Sequence, residues 1–205
     1  MINFAKQDVH DLLKPQEWTF PVPIVYGPGR LSEIGKKCTD MGIKNPLVVT
    51  DNGSSDLPFI GQLKDYLVDS GMKSKIFAGI SPNPLEDDIS AGKRAYHAGD
   101  HDAVIAIGGG SVMDAAKIIN QAARYNRNPR RLMGLFRVLR KAYTFACIPT
   151  TAGTGSEVTV AALITDEAKK TKRLCLSPFI LPDYAVLDSS FLKTLPPSIT
   201  AASGM

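Results

Sequence analysis

Short apolar runs alternate with amphipathic stretches along most of this chain, and this alternation limits the folds that the chain can adopt. NPLVVTD has the length and the continuous apolar run of a buried strand, and SKIFAGI and DAVIAIG are predicted to be further strands. The stretches between them carry apolar residues at helical spacing and end at glycine, as in PFIGQLKDYLVDSG. Alternating strands and helices form a parallel sheet with helices on both faces. The sequence therefore predicts an α/β fold with a Rossmann-like, doubly wound parallel sheet.

The second half of the chain departs from this simple alternation. VTVAALITD and KRLCLS predict a hairpin, and YAVLD predicts a strand that returns to the main sheet. The basic segment from Arg127 to Lys141 is expected to be partly helical and to lie on the surface. LPPSITAASGM at the end predicts a loop and the beginning of a helix. We therefore expect one α/β domain over residues 1–194 and the start of a second domain over residues 195–205.

Composition and charge exclude several classes of protein. Hydrophobic residues make up 44% of the chain and charged residues 21%, which is typical of a globular protein. The net charge of +4 is small and the basic residues are mostly scattered, so we expect no nucleic-acid partner. Cys38, Cys147 and Cys175 show no CxxC spacing, which favours a reducing compartment over a zinc site. No secretory or membrane-spanning segment is visible, so we expect a cytoplasmic protein without a membrane partner.

The stretch IAIGGGSVMDAAKIIN has three glycines between a predicted strand and a predicted helix. The first N–H groups of a helix have no partner within it, and a phosphate can approach them closely where side chains are absent. The pattern is neither Walker A nor GxGxxG, and a tight turn without a ligand is the alternative. Ser111 is predicted to be the N-cap, with Asp114 as its capping-box partner. Lys117 is expected one turn further along, on the same helix face as Asp114. The candidate ligand-binding residues of this stretch are Gly108, Gly109, Gly110, Ser111 and Asp114.

Two further polar groups follow predicted strands. Asp51 ends VVTD, where a carboxylate can accept hydrogen bonds from the ribose hydroxyls of a dinucleotide; a turn cap before NGSSD is the alternative. IPTTAGTGSE combines hydroxyl side chains with glycines that permit close backbone approach. Ligands of open α/β sheets bind beyond the carboxyl ends of the strands, so the three groups together predict a dinucleotide site. The hydroxyl-bearing candidates are Thr150, Thr151, Thr154 and Ser156.

GGGSVMDAAK and IPTTAGTGSEVT together resemble the iron-containing (group III) alcohol dehydrogenase family. YGPGRL, VVTD, SPNP and LPDYAVLDSSFLKTLPP occur in the order and spacing of that family. The resemblance implies an N-terminal nucleotide-binding domain followed by a helical domain that holds a divalent metal. It also implies a reversible hydride transfer between a small alcohol and an aldehyde or other carbonyl compound. The implied cofactor is NAD or NADP, with Fe²⁺ or Zn²⁺ in a full-length family member. We expect NAD rather than NADP, because Asp51 would repel a 2′-phosphate.

The resemblance assigns roles to particular positions. Asp51 would face the adenosine ribose. Gly109, Gly110 and Ser111 would hold the pyrophosphate, and Thr150, Thr151 and Thr154 would border the nicotinamide half. Lys172 of KTKRLCLSP is similar in position to a lysine that the family uses on the cofactor ribose, although a basic cluster of this kind also occurs in solvated turns.

The sequence offers no metal site of its own. The resemblance implies a motif like ATGMDAL that continues into a helix whose aspartate and following histidine are metal ligands, whereas this sequence ends at AASGM, immediately before that aspartate would appear. His97 and His101 have the spacing of two ligands on one helix, but Gly99 and Asp100 predict that the helix ends between them. We interpret both as surface histidines, and His10 lies in an isolated polar segment.

These considerations predict a chain that holds a cofactor but neither catalytic nor metal-binding residues, and the family's helical domain is expected to be missing. We expect little activity from the chain alone. We also expect a homo-oligomer, because apolar surface that a helical domain covers would be exposed. A stand-alone, non-catalytic dinucleotide-binding module is the alternative. A glycerol dehydrogenase or dehydroquinate synthase is disfavoured by TTAGTGSEVT.

Overall fold

Two β-sheets and four α-helices form the part of the chain that the computed structural model describes, residues 14–19, 21–167, 169–195, 198 and 201. In chain order the strands are β1 (Gln16–Trp18), β2 (Ile24–Tyr26), β3 (Pro46–Asp51), β4 (Lys75–Ile80), β5 (Ala103–Gly108), β6 (Gly134–Leu135), β7 (Thr144–Pro149), β8 (Ala161–Asp166), β9 (Thr171–Leu176) and β10 (Tyr184–Leu187). The helices are α1 (Ile34–Asp40), α2 (Pro58–Asp69), α3 (Glu86–His97) and α4 (Gly110–Tyr125). Short 3₁₀ turns occur in several connections.

The main sheet has seven strands in the order β1-β2-β10-β7-β5-β3-β4. All neighbouring pairs are parallel except β1 and β2, which are antiparallel. The predicted parallel α/β sheet is therefore confirmed, while its antiparallel edge was not predicted. β8 and β9 form the predicted hairpin, and β10 returns to the main sheet as expected. The hairpin belongs to a separate three-stranded sheet in which β6 pairs with β9.

Helices cover both faces of the main sheet, as the alternating sequence predicts. α3 and α4 pack on one face, where Leu47, Val49 and Val104 point. α1 and α2 pack on the other face, against Val48 and Ile105. Successive residues of a strand point to opposite faces, so strands buried on both sides need the continuous apolar runs seen in β3 and β5.

The strand order creates a topological switch point between β3 and β5. From β3 the chain moves outward to β4, then crosses back to β5 on the other side of β3. The helix after β3 packs on one face of the sheet, and the helix after β5 packs on the opposite face. A crevice therefore opens beyond the carboxyl ends of these two strands, which is where open α/β sheets bind ligands.

The segment from Arg127 to Lys141 lies mostly on the surface, as predicted, with a 3₁₀ turn at Pro129–Leu132 followed by β6. None of the described helices combines the length and the apolar character that crossing a membrane requires. The domain boundary after residue 194 stays a prediction, because most residues from 196 onward lie outside the described part of the chain. His10 also lies outside it.

Candidate functional site

The three polar groups predicted from the sequence follow three adjacent parallel strands. Val49 pairs with Ala106 and Gly108 pairs with Pro149, so β3, β5 and β7 end at nearly the same level. The N–H of Thr150 donates to the carbonyl oxygen of Gly108 at 2.9 Å, which joins the threonine loop (residues 150–156) directly to the glycine loop (residues 108–110). Neighbouring strand ends thus bring together the glycine loop, the threonine loop and Asp51 at the switch point.

The glycine loop needs bare backbone for two different reasons. Gly108 has φ = +155°, and a Cβ there would lie 2.8 Å from the side chain of Val112, so only glycine fits. A Cβ on Gly110 would lie 3.0 Å from Thr154. A Cβ on Gly109 would lie 3.5 Å from Oγ1 of Thr151, an ordinary contact. The glycine loop therefore faces the threonine loop across a narrow gap that larger side chains would fill.

The predicted capping of α4 is wrong. Gly109 is the N-cap, and no side chain in the described part of the chain caps this helix. Helix α4 begins at Gly110, so Ser111 lies within its first turn, and the Ser111 hydroxyl donates to the carbonyl oxygen of Pro82 at 2.8 Å. Asp114 accepts a hydrogen bond from the N–H of Leu163 at 3.0 Å instead of closing a capping box. The N-terminus of α4 therefore has no side-chain acceptor, and its positive end is directed at the crevice.

A pocket of about 220 Å³ adjoins the threonine loop on the side of β10. Thr151 lines this pocket and also lies beside Gly109, so it connects the pocket to the glycine loop. Tyr26, Leu187 and Leu192 supply apolar lining. Glu157 also lines the pocket, and its Oε2 is buried without a hydrogen-bond partner among the described residues. Glu157 was not predicted from the sequence to be a site residue, although it is the last residue of the stretch IPTTAGTGSE.

A buried lysine fastens α4 to the chain that follows the threonine loop. The Lys117 ammonium donates to the carbonyl oxygen of Ala161 at 2.7 Å, and to the carbonyl and hydroxyl oxygens of Thr159, both at 3.1 Å. Its Nζ lies 3.6 Å from Oδ1 of Asp114, on the helix face predicted for this pair. Burial lowers the pKa of Lys117 and raises the pKa of Asp114, and the attraction between their charges opposes both shifts. These contacts keep the two loops in fixed register.

The remaining predicted residues occupy different positions around this edge. Both carboxylate oxygens of Asp51 accept hydrogen bonds from Ser54, from its N–H at 2.9 Å and from its hydroxyl at 2.8 Å. Asp51 therefore caps the turn that follows β3, which confirms the alternative interpretation of this residue. Thr150 and Ser156 are buried, whereas Thr154 is exposed. Lys172 is exposed on β9, opposite Thr165 in the hairpin.

The two central histidines lie in different environments. His97 is exposed at the end of α3, as predicted. The surface interpretation of His101 is wrong, because its side chain is buried against Tyr96 and its Nδ1 lies 2.9 Å from the carbonyl oxygen of Asn45. Asp100, with φ = +50°, turns the chain after α3 and directs His101 inward. Among the described residues, no group of three or more His, Cys, Asp or Glu side chains could hold a metal ion.

Known proteins share this sequence pattern and fold. The pattern of the iron-containing alcohol dehydrogenase family matches residues 21–189. Lactaldehyde reductase of Escherichia coli (strain K12) is 31% identical over 185 residues, which cover 88% of this chain and 48% of that protein. NAD-dependent methanol dehydrogenase of Bacillus methanolicus is also 31% identical over 185 residues, with coverages of 90% and 49%. The crystal structure of sulfoacetaldehyde reductase from Bifidobacterium kashiwanohense in complex with NAD+ matches with a TM-score of 0.81 and 29% identity, over 90% of this chain and 49% of that one.

The chain therefore spans about half the length of the relatives it matches. The matched region contains the glycine loop, the threonine loop and every strand of the main sheet except β1. This chain belongs to the iron-containing alcohol dehydrogenase family.

Proposed function

We propose that this chain binds NAD(H) at the carboxyl edge of its main sheet and orients it for hydride transfer between a small alcohol and the corresponding carbonyl compound. The observation that carries the proposal is the N-terminus of α4, which has no side-chain cap and begins in a glycine loop at the switch point. When bound, the nicotinamide ring gives or takes the hydride. The protein's part is to bind, orient and shield it.

The pyrophosphate would lie against the N–H groups of Gly109, Gly110 and Ser111. These groups point out of the first turn of α4, and the helix dipole favours a negative charge there. The missing side chains of the glycine loop leave the gap toward Thr151 and Thr154 narrow but open to a phosphate. Gly108 supports this arrangement by allowing the chain to turn sharply from β5 into the helix. The residues of the glycine loop therefore fit the cofactor.

The two halves of NAD(H) would extend in opposite directions from the pyrophosphate. Asp51 would accept hydrogen bonds from the adenosine ribose, because a carboxylate offers about four acceptor positions and Ser54 uses two. The nicotinamide half would occupy the pocket beside Thr151 and Glu157, near Thr150 and Thr154. Lys172, exposed on β9, is proposed to contact the cofactor ribose. NAD is proposed over NADP because Asp51 would repel a 2′-phosphate.

The substrate class rests on the relatives. The names of the two curated relatives, a lactaldehyde reductase and a methanol dehydrogenase, support alcohols and carbonyl compounds of few carbon atoms. The family name implies iron, but the described residues do not form a group that fits a metal, and we derive no catalytic step through one.

We also propose that the chain self-associates, as its sequence predicts. Light scattering on the purified chain tests this proposal, and a clean monomer contradicts it.

Calorimetric titration with NADH tests the binding proposal. Alanine readily adopts the φ of −77° and ψ of −179° found at position 109, and its Cβ would make only an ordinary contact with Thr151. The Gly109→Ala variant should therefore keep the fold. The added methyl group narrows the gap that the pyrophosphate needs. We expect Kd for NADH to rise by about tenfold or more. Gly61→Ala, in open space on α2, is the matched control and should leave Kd unchanged.

Equal Kd values for NADH in wild type, Gly109→Ala and Gly61→Ala would contradict the proposed site. The non-catalytic alternative makes the same binding prediction, so a second assay separates the two functions. Reduction of NAD+ in the presence of short alcohols, measured on the protein that contains this chain, supports the oxidoreductase. Binding without any alcohol-dependent reduction supports the module.

A further inference from the structure

Two adjoining pockets outside the dinucleotide site form one concave surface, which we call the arginine groove. It is lined by side chains of residues 127–140, by Gln121 and Tyr125 near the end of α4, and by Arg173 on β9, and its two pockets have volumes of about 340 and 520 Å³. Both pockets are lined by Arg127, Arg137 and Leu139, so they are continuous. The groove shares no lining residue with the glycine loop, the threonine loop or the pocket beside Glu157. It is therefore a separate site.

The charge of the arginine groove is strongly unbalanced. No carboxylate among the described residues lines either pocket. Arg130 and Arg173 are compensated from outside the groove, since both form ion pairs with Glu86 and Asp166, the shortest of them 2.9 Å between Arg130 Nε and Glu86 Oε2. Within the described residues, no ion pair reaches the other four guanidinium groups of the groove, those of Arg127, Arg131, Arg137 and Arg140. Like charges that line one groove repel one another, so an anionic occupant would be favoured.

The groove also has an apolar wall. Phe136 and Leu139 expose 61% and 69% of their surface, although both are large apolar residues. Phe136 has φ = +52°, an uncommon backbone conformation for a bulky residue. Its N–H donates to the carbonyl oxygen of Leu176 at 2.9 Å, which ties the backbone in this conformation to the end of β9. The fold thus holds an exposed ring and an exposed isobutyl group beside the uncompensated arginines.

We propose that the arginine groove binds an organic polyphosphate with an aromatic body, the chemical class of the nucleoside triphosphates. Arginine guanidinium groups donate paired hydrogen bonds to phosphate oxygens, and several phosphates on one ligand match several arginines in one groove. The aromatic body would pack on Phe136 and Leu139. Both pocket volumes lie in the range of small-molecule sites, which a concave groove suits better than a flat bilayer surface.

Calorimetric titration of the 205-residue chain with ATP tests this site. Arg127 and Arg137 line both pockets and are exposed, so Arg127→Gln/Arg137→Gln should fold normally, which an unchanged thermal unfolding curve would verify. We expect Kd for ATP to rise by about tenfold or more in this double variant. Arg94→Gln, an equally exposed arginine on α3 outside the groove, is the matched control and should bind like wild type.

Two further arms identify the contacts. Leu139→Ser should weaken ATP binding severalfold and leave the binding of inorganic triphosphate unchanged, because only ATP has a base to pack on the apolar wall. Gly109→Ala separates this site from the dinucleotide site: it should weaken NADH and leave ATP unchanged. Each site can thus fail independently of the other.

Several outcomes would overturn the proposal. ATP binding that is lost in Gly109→Ala but kept in the double arginine variant would assign ATP to the glycine loop. Absence of ATP binding to the wild-type chain at low salt would remove the site altogether. Arginine-dependent binding of anionic lipid vesicles or of a single-stranded oligonucleotide, without binding of ATP, would assign the groove to a membrane or a nucleic acid instead.

Discussion

Asp51 shows how far a single residue could be interpreted from the sequence. Its position after a buried strand predicted a place at the carboxyl edge of the sheet, and this is confirmed. The sequence left open whether Asp51 caps a turn or accepts from a ribose. The cap is confirmed by the two hydrogen bonds that Asp51 accepts from Ser54. The ribose contact stays a prediction, and the cap does not exclude it, because a carboxylate has further acceptor positions.

Asp51 gives a prediction about cofactor choice. We expect the chain to bind NADH more tightly than NADPH, because the carboxylate would repel a 2′-phosphate. Asp51→Asn keeps an acceptor for the N–H of Ser54 but removes the charge. The ratio of the two Kd values, measured by titration at low salt, should fall by about fivefold, since such a repulsion is worth about 1 kcal/mol. Asp56→Asn, exposed in the same turn, should not change it. Tighter binding of NADPH than NADH by wild type would contradict the role.

The environment of Lys117 could be predicted only in part from the sequence. Its spacing from Asp114 predicted a shared helix face, which the 3.6 Å approach confirms. Its burial could not be predicted from α4 alone. The side chain becomes buried because residues 156–161 and the β8–β9 hairpin cross over α4, and their carbonyl groups replace its water. A long-range contact of this kind leaves no local pattern in the sequence.

At the scale of elements, the strands and helices followed their periodicity, while the start of α4 did not follow its predicted cap. A serine followed by an acid three positions later predicts a capping box. Here Gly108 allows a sharp turn directly after β5, so the helix begins one residue before Ser111. The side chains freed from capping bind the neighbouring Pro82 and Leu163 instead. The capping pattern was therefore present, but tertiary contacts used its side chains differently.

This account of α4 predicts opposite effects for two glycine substitutions. Gly108→Ala combines a positive φ with a Cβ only 2.8 Å from Val112, so the free energy of unfolding should fall by about 2 kcal/mol or more. Gly61→Ala lies within α2 with nothing near its Cβ, so the free energy of unfolding should rise by about 0.5–1 kcal/mol. Urea denaturation measures both. A Gly108→Ala variant as stable as wild type would show that the turn does not need glycine.

At the scale of the whole molecule, the α/β class could be predicted but the strand order could not. Periodicity identifies strands one at a time, and β3, β4 and β5 look alike in sequence. Which strands become neighbours depends on how the helices pack on the two faces. The switch point between β3 and β5 and the separate sheet of β6, β9 and β8 are therefore findings of the structure.

Buried thiols make the stability of the whole molecule sensitive to alkaline pH. Burial raises the pKa of Cys38 from 9.0 to about 12 and that of Cys175 to about 11, and it also raises that of Cys147. A thiol whose pKa is higher in the folded than in the unfolded protein stabilises the fold below pH 9.0, and this stabilisation is lost as the pH rises toward the folded-state pKa. Tyr96 and Tyr184 shift in the same direction, whereas the lowered pKa of Lys117 acts in the opposite one.

We therefore expect the free energy of unfolding, measured with urea under reducing conditions, to fall between about pH 8 and about pH 10, by about 1 kcal/mol for each buried thiol. Cys38→Ala removes one of these groups. At about pH 8 the free energy of unfolding of Cys38→Ala should be lower than that of wild type, because the substitution leaves a cavity. Between about pH 8 and about pH 10, however, this free energy should fall by less in the variant than in wild type. An identical loss in the variant would show that the thiol is not the cause.

We propose that NAD(H) binds at the N-terminus of α4, and amide chemical shifts measured during an NADH titration are the sharpest test of this claim. We expect the largest shifts at Gly109, Gly110, Ser111 and Thr151, with smaller ones around Asp51. Amides of the arginine groove, such as those of Arg131 and Arg137, should not shift. Shifts concentrated in the arginine groove, or an absence of shifts in the glycine loop at saturating NADH, would contradict the claim.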